Sequence, residues 1–574
     1  MTDAERSDKP NIVFVLTDDQ GYGDLGCTGN PIIKTPHIDR LYRESARLTD
    51  FHVGPTCAPT RASLLTGHWH NSTGVWHTIG GRSLLRQNET SLAAILQANG
   101  YRTGIFGKWH LGDNYPYRPH DRGFTEAIVH GGGGIGQTPD YWGNDYFDDT
   151  YFDCGEPRTF KGYCTDVFFR LGIDFIERSQ HEPFFCFIPT NAPHSPLQID
   201  DDHVAPYEGQ VPAERARFYG MISSIDDNVS LLRARLSELG LTERTILIFM
   251  TDNGTATGCS VNSAGHVIEG YNAGMRGIKG SPYEGGHRVP FFLHAPALGM
   301  KTGRDIDELA GAVDFVPTIL DLCGITVPDG LVFDGQSLLP ALSGSNLGAR
   351  ALVTDSQRIP RPVKWKDSAV MRDKWRLIRG VELYDLDTDP AQLQDLAAAH
   401  PDRVSQMRED YEQWWDKVSE RFDEEIPIIV GSEKEQDTDI TSHDWRGDVG
   451  DCAWNQGEIR QGKICNSHVE LSVARDGMYV FELRRWPREE DRALCEGIEG
   501  DTIDWYQGGR ALHVQTAALK AGDFYDVKDV LPDAKFVSFI CRLQSGPIHL
   551  QTWLTTADGH RLGAYYVYIR RLTD

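Results

Sequence analysis

Four near-continuous apolar runs constrain this chain more than any other feature: IVFVLT at 12–17, RTGIFG at 102–107, PFFCFIPT at 183–190 and TILIFMT at 245–251. A strand that faces water on one side alternates apolar and polar residues. These runs do not, and they read as strands buried on both faces, as in a parallel sheet. SLAAILQANG (91–100), ISSIDDNVSLLRARLSELG (222–240) and VDFVPTILDLCG (313–324) have helical spacing and end in glycine. The expected core is α/β, a mostly parallel central sheet flanked by helices.

Polar chemistry stands at the carboxyl end of each run. The first ends in Asp18 and Asp19, the second runs into Lys108 and His110, the third leads through NAP to His194, and the fourth ends in Asp252 and Asn253. In an open α/β sheet the ligand crevice lies just outside those ends, so four segments deliver to one rim. Asp18, Asp19, Asp252 and the amide oxygen of Asn253 are hard donors suited to Ca²⁺ or Mg²⁺. Lys108, Arg61 and Lys279 are cations for an anionic substrate, and His110 and His194 can exchange protons near neutral pH. In GPTCAPTRASLLTGHWH (54–70), Thr56, Pro59 and the run to Leu65 predict a short helix that Gly67 stops. Cys57 then sits where unpaired backbone N–H groups favour negative charge, with Arg61 one turn on. Taken singly, each feature has a structural explanation: a cap for the Asp pair, a turn for TDNG, an inert buried thiol for Cys57. Only the joint pattern points to a site.

From about residue 350 the texture changes. SAVMRD, KWRLIRG and VELYDLD suggest a small antiparallel sheet, and a helix is expected over 402–422. The acidic stretch 431–444 reads as a linker, and the alternating runs beyond it predict an all-β, sandwich-like module. The expected division is 1–350 for the catalytic α/β domain, 351–430 for a small sheet and helix that complete it, and 431–574 for a C-terminal β extension. That extension is expected to form a homodimer interface or, second, a wall of the pocket. The Gly-rich and then aromatic stretch 131–152 is expected to border the leaving-group pocket.

The net charge of -26, from 83 acidic and 57 basic residues, argues against nucleic acid as a partner. No run approaches the roughly 20 apolar residues of a membrane span, and the N-terminus shows no signal-peptide pattern. Eleven cysteines without a CxxC pair suit a reducing cytoplasm, with one bridge among Cys452, Cys465 and Cys495 left open.

The chain resembles a type I sulfatase of the alkaline phosphatase superfamily. CAPTRASLLTG matches that family's C-x-P-x-R motif and GKWHLG its second signature. PNIVFVLTDDQGYGDLG, APHSP, DNG, RGIKGSPYEGGHRVPF, DGQSLLP and ELYDLDTDP follow in the family order, over roughly residues 10–425. Thr60 stands where the family more often has Ser or Ala. The resemblance implies an alkaline phosphatase-like fold and hydrolysis of sulfate monoesters, aryl sulfates or related small esters. It implies that a formylglycine-generating enzyme oxidises Cys57 to formylglycine. The hydrated aldehyde attacks sulfur, the alcohol leaves, and the second hydroxyl expels sulfate. Asp18, Asp19, Asp252, Asn253 and the modified Cys57 would hold one divalent cation, Ca²⁺ before Mg²⁺ or Mn²⁺. Arg61 would orient the diol, Lys108 and Lys279 would neutralise sulfate oxygens, His110 would take a proton in the elimination, and His194 would protonate the leaving oxygen.

Alternative readings are a phosphonate monoester or phosphodiester hydrolase on the same scaffold, and an exo-sulfatase of sulfated polysaccharides. A non-catalytic sugar binder would use Trp445, Trp454, Trp486, Trp505 and Trp553 as stacking faces, and a thiol hydrolase would use Cys57 itself.

Overall fold

The computed structural model describes residues 9–299, 303–502 and 504–572; the first eight residues, part of the stretch read for a signal peptide, lie outside them. The central sheet has ten strands, in the order Arg304–Ile306, Ala46–Leu48, Phe291–His294, Thr245–Thr251, Asn11–Thr17, Phe184–Pro189, Arg102–Lys108, Glu126–His130, Thr150–Asp153 and Glu156–Thr159. The four apolar runs are four consecutive neighbours, and every pairing between them is parallel. Their carboxyl ends therefore open on one edge. Register makes the convergence tight: Thr17 lies beside Thr251 and Leu16 beside Pro189, so Asp18 and Asp252 each stand one residue past a shared rung.

Burial on both faces follows residue by residue. Ile12, Phe14 and Leu16 pack into one core cluster with Leu64, Ile95 and Ile319, whereas Val13 and Val15 pack into another with Phe168, Phe218 and Ile225. Successive side chains of a strand point to opposite faces, so a strand between two helical layers has no polar side to show. The helix Leu92–Ala98 starts at Ser91, whose hydroxyl accepts the Ala94 amide at 3.0 Å. The helix expected from 222 begins instead at Ala213 and runs to Glu238. Ala216, Phe218 and Tyr219 extend its buried face, and Gly220 lets it approach the His203 carbonyl, where a Cβ would lie 3.0 Å away.

Strands Ala351–Asp355, Ser368–Arg372, Trp375–Ile378 and Glu382–Asp385 form the small antiparallel sheet, covered by the helix Pro401–Ser419. Beyond it, two sheets of six and four strands enclose one apolar core that includes Leu471, Phe481, Trp486, Phe539 and Ile569. The stretch 431–444 is not a linker. Asp437–Thr441 is a strand paired with Tyr566–Arg571, and Ser442–Asp444 is a tight turn that follows it. Its inward set is only Thr438 and Ile440, and the exposed Asp437 and Asp439 disguised the alternation. All eleven cysteines are free, so the bridge left open among Cys452, Cys465 and Cys495 is not formed. Among the described residues no helix is long and apolar enough to cross a membrane.

Candidate active site

Cys57 opens the helix Cys57–Thr66, after Thr56 in extended conformation and before Gly67 in the left-handed region (φ 72°). The Thr56 side chain makes no capping bond, so the first-turn amides keep their outward-facing hydrogens. The Thr60 hydroxyl donates to the Gly54 carbonyl at 2.8 Å, a bond that Ser in its place could also make. Burial, then the charge of Asp18, pushes the Cys57 thiol up to about 12. A reactive thiolate needs the opposite shift, so the site does not suit an unmodified cysteine nucleophile.

Three carboxylates and three cations surround that side chain. Lys108 Nζ lies 2.6 Å from Asp18 Oδ2, Arg61 donates to Asp252 Oδ2 at 2.9 Å, and Lys279 Nζ is 2.5 Å from Asp19 Oδ1. Cross-links bind the strand ends together: the Asp19 amide donates to Asp252 Oδ1 at 3.1 Å, and Arg61 also reaches the Lys108 carbonyl at 3.0 Å. The Lys279 loop is tied to the nucleophile loop by Gly280 N–H to Pro55 O at 2.8 Å. Cys57 Sγ is 3.7 Å from Asp19 Oδ1 and 3.8 Å from Asn253 Nδ2. His194 Nε2 is 3.6 Å from Asp19 Oδ2.

Burial opposes ionisation of Asp19, yet Lys279, His194 and Lys108 together hold its carboxyl below the usual range. Asp252 is pushed up to about 7 by burial and by Asp18, against the pull of Arg61 and Lys108. Burial also drives both candidate proton carriers towards the neutral form: His194 falls to about 3 and His110 well below its ordinary value. His110 Nε2 lies 2.8 Å from the Thr78 carbonyl, an acceptor only, so the ring proton sits on Nε2. His110 Nδ1 is then a buried acceptor without a protein partner.

Two further buried oxygens have no partner, Asp18 Oδ1 and Asn253 Oδ1. Ligand atoms of Asp18, Asp19 and Asp252 lie within 4.8 Å of one another. Orphaned hard oxygens beside two more carboxylates fit a divalent cation, because burying an unsatisfied carboxylate oxygen is otherwise costly.

The sequence alone missed two contributors, His130 and His443. Glu126–His130 is a fifth parallel strand, and His130 at its end stands level with Lys108, its Nε2 buried without a partner. The apolar AIV before that His was the available signal. The glycine-rich loop does border the site: a Cβ on Gly133 would lie 2.3 Å from the His110 ring, and the Tyr146 hydroxyl donates to the His194 carbonyl at 3.0 Å. From the C-terminal module, His443 packs its ring 6.3 Å from that of His110; nothing in the local sequence marks it. Trp445 and Trp486 are buried in the module core, so neither offers a face to a sugar.

Fold and site together define an α/β enzyme whose strand ends gather carboxylates that could hold a divalent cation and cations that could face an anionic group. Residues 10–325 match the family model described as Sulfatase, and residues 279–414 match the one described as N-sulphoglucosamine sulphohydrolase, C-terminal. N-acetylgalactosamine-6-sulfatase of Canis lupus familiaris is 30% identical over 371 residues, covering 60% of this chain and 68% of that protein. Arylsulfatase J of Mus musculus is 30% identical over 362 residues, covering 58% of this chain and 56% of that protein. The solved structure of Ps i-CgsB in complex with k-i-k-neocarrahexaose is 27% identical with a TM-score of 0.63, over 71% of this chain and 93% of the other. The chain belongs to the sulfatase family and is a sulfuric ester hydrolase; a divalent cation and formylglycine are the family's cofactor and nucleophile.

Proposed function

We propose that the protein hydrolyses a small or chain-terminal sulfate monoester that enters beside Lys279 and His194. Cys57 is converted to formylglycine by a formylglycine-generating enzyme, and the cation is Ca²⁺, as an all-oxygen donor set favours. The cation and the formylglycine supply the activated oxygen nucleophile. The chain's own residues do the rest. Arg61, pinned between Asp252 and the Lys108 carbonyl, fixes the orientation of side chain 57. Lys108 and Lys279 face the sulfate oxygens and offset the charge that builds on them. His194, neutral when the site is empty of substrate, keeps its one ring proton on Nδ1 against the Ser195 carbonyl; a neighbouring sulfate anion raises its basicity, so that Nε2 takes up a second proton from solvent and passes it to the leaving oxygen. His110 offers Nδ1 as the proton acceptor, since its Nε2 proton is committed to Thr78.

The observation that carries this reading is the ring of three carboxylates and three cations closed around Cys57. Its test is a panel of aryl and sugar sulfates run against a matched phosphonate monoester. The protein should first be shown by mass to carry a residue 57 about 18 Da lighter than cysteine. Turnover of sulfate esters that is lost on chelation and restored by Ca²⁺ is expected. A preference for the phosphonate, or turnover by protein with an unmodified thiol, would overturn it.

The C-terminal module would also pair two copies. Its edge strands Phe524–Asp529 and Val537–Leu543, with the loop between them, leave Val527, Leu531, Phe536 and Ile540 exposed. An absence of dimer by light scattering would refute that pairing.

A further inference from the structure

The family models match residues 10–325 and 279–414, and the C-terminal β module lies beyond the part they cover. That module reaches the catalytic rim through the turn Ser442–Asp444. The His443 carbonyl accepts two amides, Gly80 N–H at 3.0 Å and Gly81 N–H at 3.3 Å. The Arg446 guanidinium donates to the Gly81 carbonyl. Both glycines are in the left-handed region, at φ 70° and 61°. A Cβ on Gly81 would come within 2.8 Å of the Asp444 carbonyl, so the loop is drawn against the turn.

The loop held in this way contains Thr78, whose carbonyl accepts the hydrogen bond from His110 Nε2–H. A histidine's second hydrogen bond sets which ring nitrogen is free, so whatever fixes Thr78 fixes the reactive face of His110. The His443 ring stands 6.3 Å from the His110 ring, at 54° between ring planes, and its own Nε2 has no partner. A ring nitrogen without a bond leaves shape as what the ring contributes. The turn that carries it is rigid. Asp444 accepts the Thr441 amide at 2.9 Å and its hydroxyl at 3.2 Å, and Ser442 donates to the Ala453 and Tyr565 carbonyls.

We propose that His443 is a positioning residue for His110, so that the C-terminal module completes the active site of the same chain. It acts by packing, holding His110 in the Nε2–H tautomer with Nδ1 turned to the reacting group. The inference rests on the sulfatase reading for its kinetic consequence, though not for its structural one.

On protein verified to carry the oxidised residue 57, His443→Ala is expected to lower kcat for an aryl sulfate by about tenfold or more, with KM within about twofold of wild type, because misplacing a reacting group by about 1 Å is that costly. His443→Phe keeps a flat ring against His110 and is expected to recover kcat to within about threefold. Spectra of ¹⁵N-histidine-labelled protein, with the His110 signals assigned by their loss in His110→Gln, should show one Nε2–H tautomer in wild type and in His443→Phe but a mixture in His443→Ala. An unchanged kcat and tautomer in His443→Ala, a loss carried by KM, or a Phe variant as impaired as the Ala variant would each overturn the proposal. Should wild-type protein turn over no sulfate ester, the reading of function fails, and the tautomer spectra still decide this one.

Discussion

Gly133→Ala adds a single methyl group where the structure has no room for it. Built on the backbone, the new Cβ lies 2.3 Å from Cε1 of His110, 2.4 Å from Nε2 and 2.8 Å from Nδ1. Carbon atoms settle at about 3.5–4 Å, so something must move by roughly 1 Å. The backbone at Gly133 is not in the left-handed region, so the substitution brings no conformational strain of its own. If the imidazole yields, it loses the 2.8 Å bond to Thr78. If the loop yields, it strains Gly133 N–H to Gln137 at 2.9 Å, with Gly131 N–H to Asp140 and Gly132 N–H to Asp113, both at 3.1 Å. Overpacking of this kind costs about 1–3 kcal/mol, and each neutral bond about 1 kcal/mol, so the ring, held by one bond, moves first. A displacement near 1 Å in a reacting group costs on the order of 100-fold in rate. Steady-state kinetics on an aryl sulfate should therefore show kcat down about 100-fold in Gly133→Ala with KM little changed. Gly450→Ala, where a Cβ meets nothing within 4 Å, should match wild type. A kcat for Gly133→Ala within twofold of wild type would refute the contact between loop and imidazole.

Two other perturbations test the charges. Lys108→Ala removes the partner of a fully buried Asp18. It should lower kcat/KM by about 100- to 1000-fold and destabilise the fold by about 3–5 kcal/mol, measured by kinetics and by thermal midpoint. Asp24 is pushed up to about 7, chiefly by burial, from 3.8 in a free chain. Because its folded value is raised, its contribution favours folding at low pH and is lost as pH rises from about 4 through 7. Asp24→Asn should therefore raise the thermal midpoint relative to wild type more at pH 8 than at pH 5; an equal difference at both refutes the assignment.

What could be read from the sequence was whatever a short window carries. The runs at 12–17, 184–189 and 245–251 announce two-sided burial by lacking polar positions, and Asp18, Asp252 and His194 follow because a strand end needs no long-range information. Lys279 was harder to place: only folding brings it against Asp19, across 260 residues of sequence. His130 escaped because its strand is short and its run opens on a charged Glu126. The strand Asp437–Thr441 escaped because its inward positions are a threonine and a single isoleucine. His443 could not have been found at all, since its role depends on where the turn Ser442–Asp444 docks, and docking is decided by the module's core.

The charge balance of the site explains why the rim must be closed from several directions. Asp18, Asp19 and Asp252 against Arg61, Lys108 and Lys279 leave the protein's own groups near neutral, inside a chain of net charge -26. Such a site has little long-range attraction for an anion, so under the proposed function affinity for sulfate would come at short range, from the cation and from lysines held in a dry setting. Dryness in turn depends on loops with few apolar side chains of their own. The glycine loop over His110 contains four successive glycines, and the loop at 77–81 ends in two. Neither can hold a fixed shape by packing its own side chains. Both are fastened from the C-terminal module instead, the first where Thr138 donates to the Ala453 and Trp454 carbonyls and the second at His443. Weakening those fastenings should therefore admit water to the site before it unfolds the sheet.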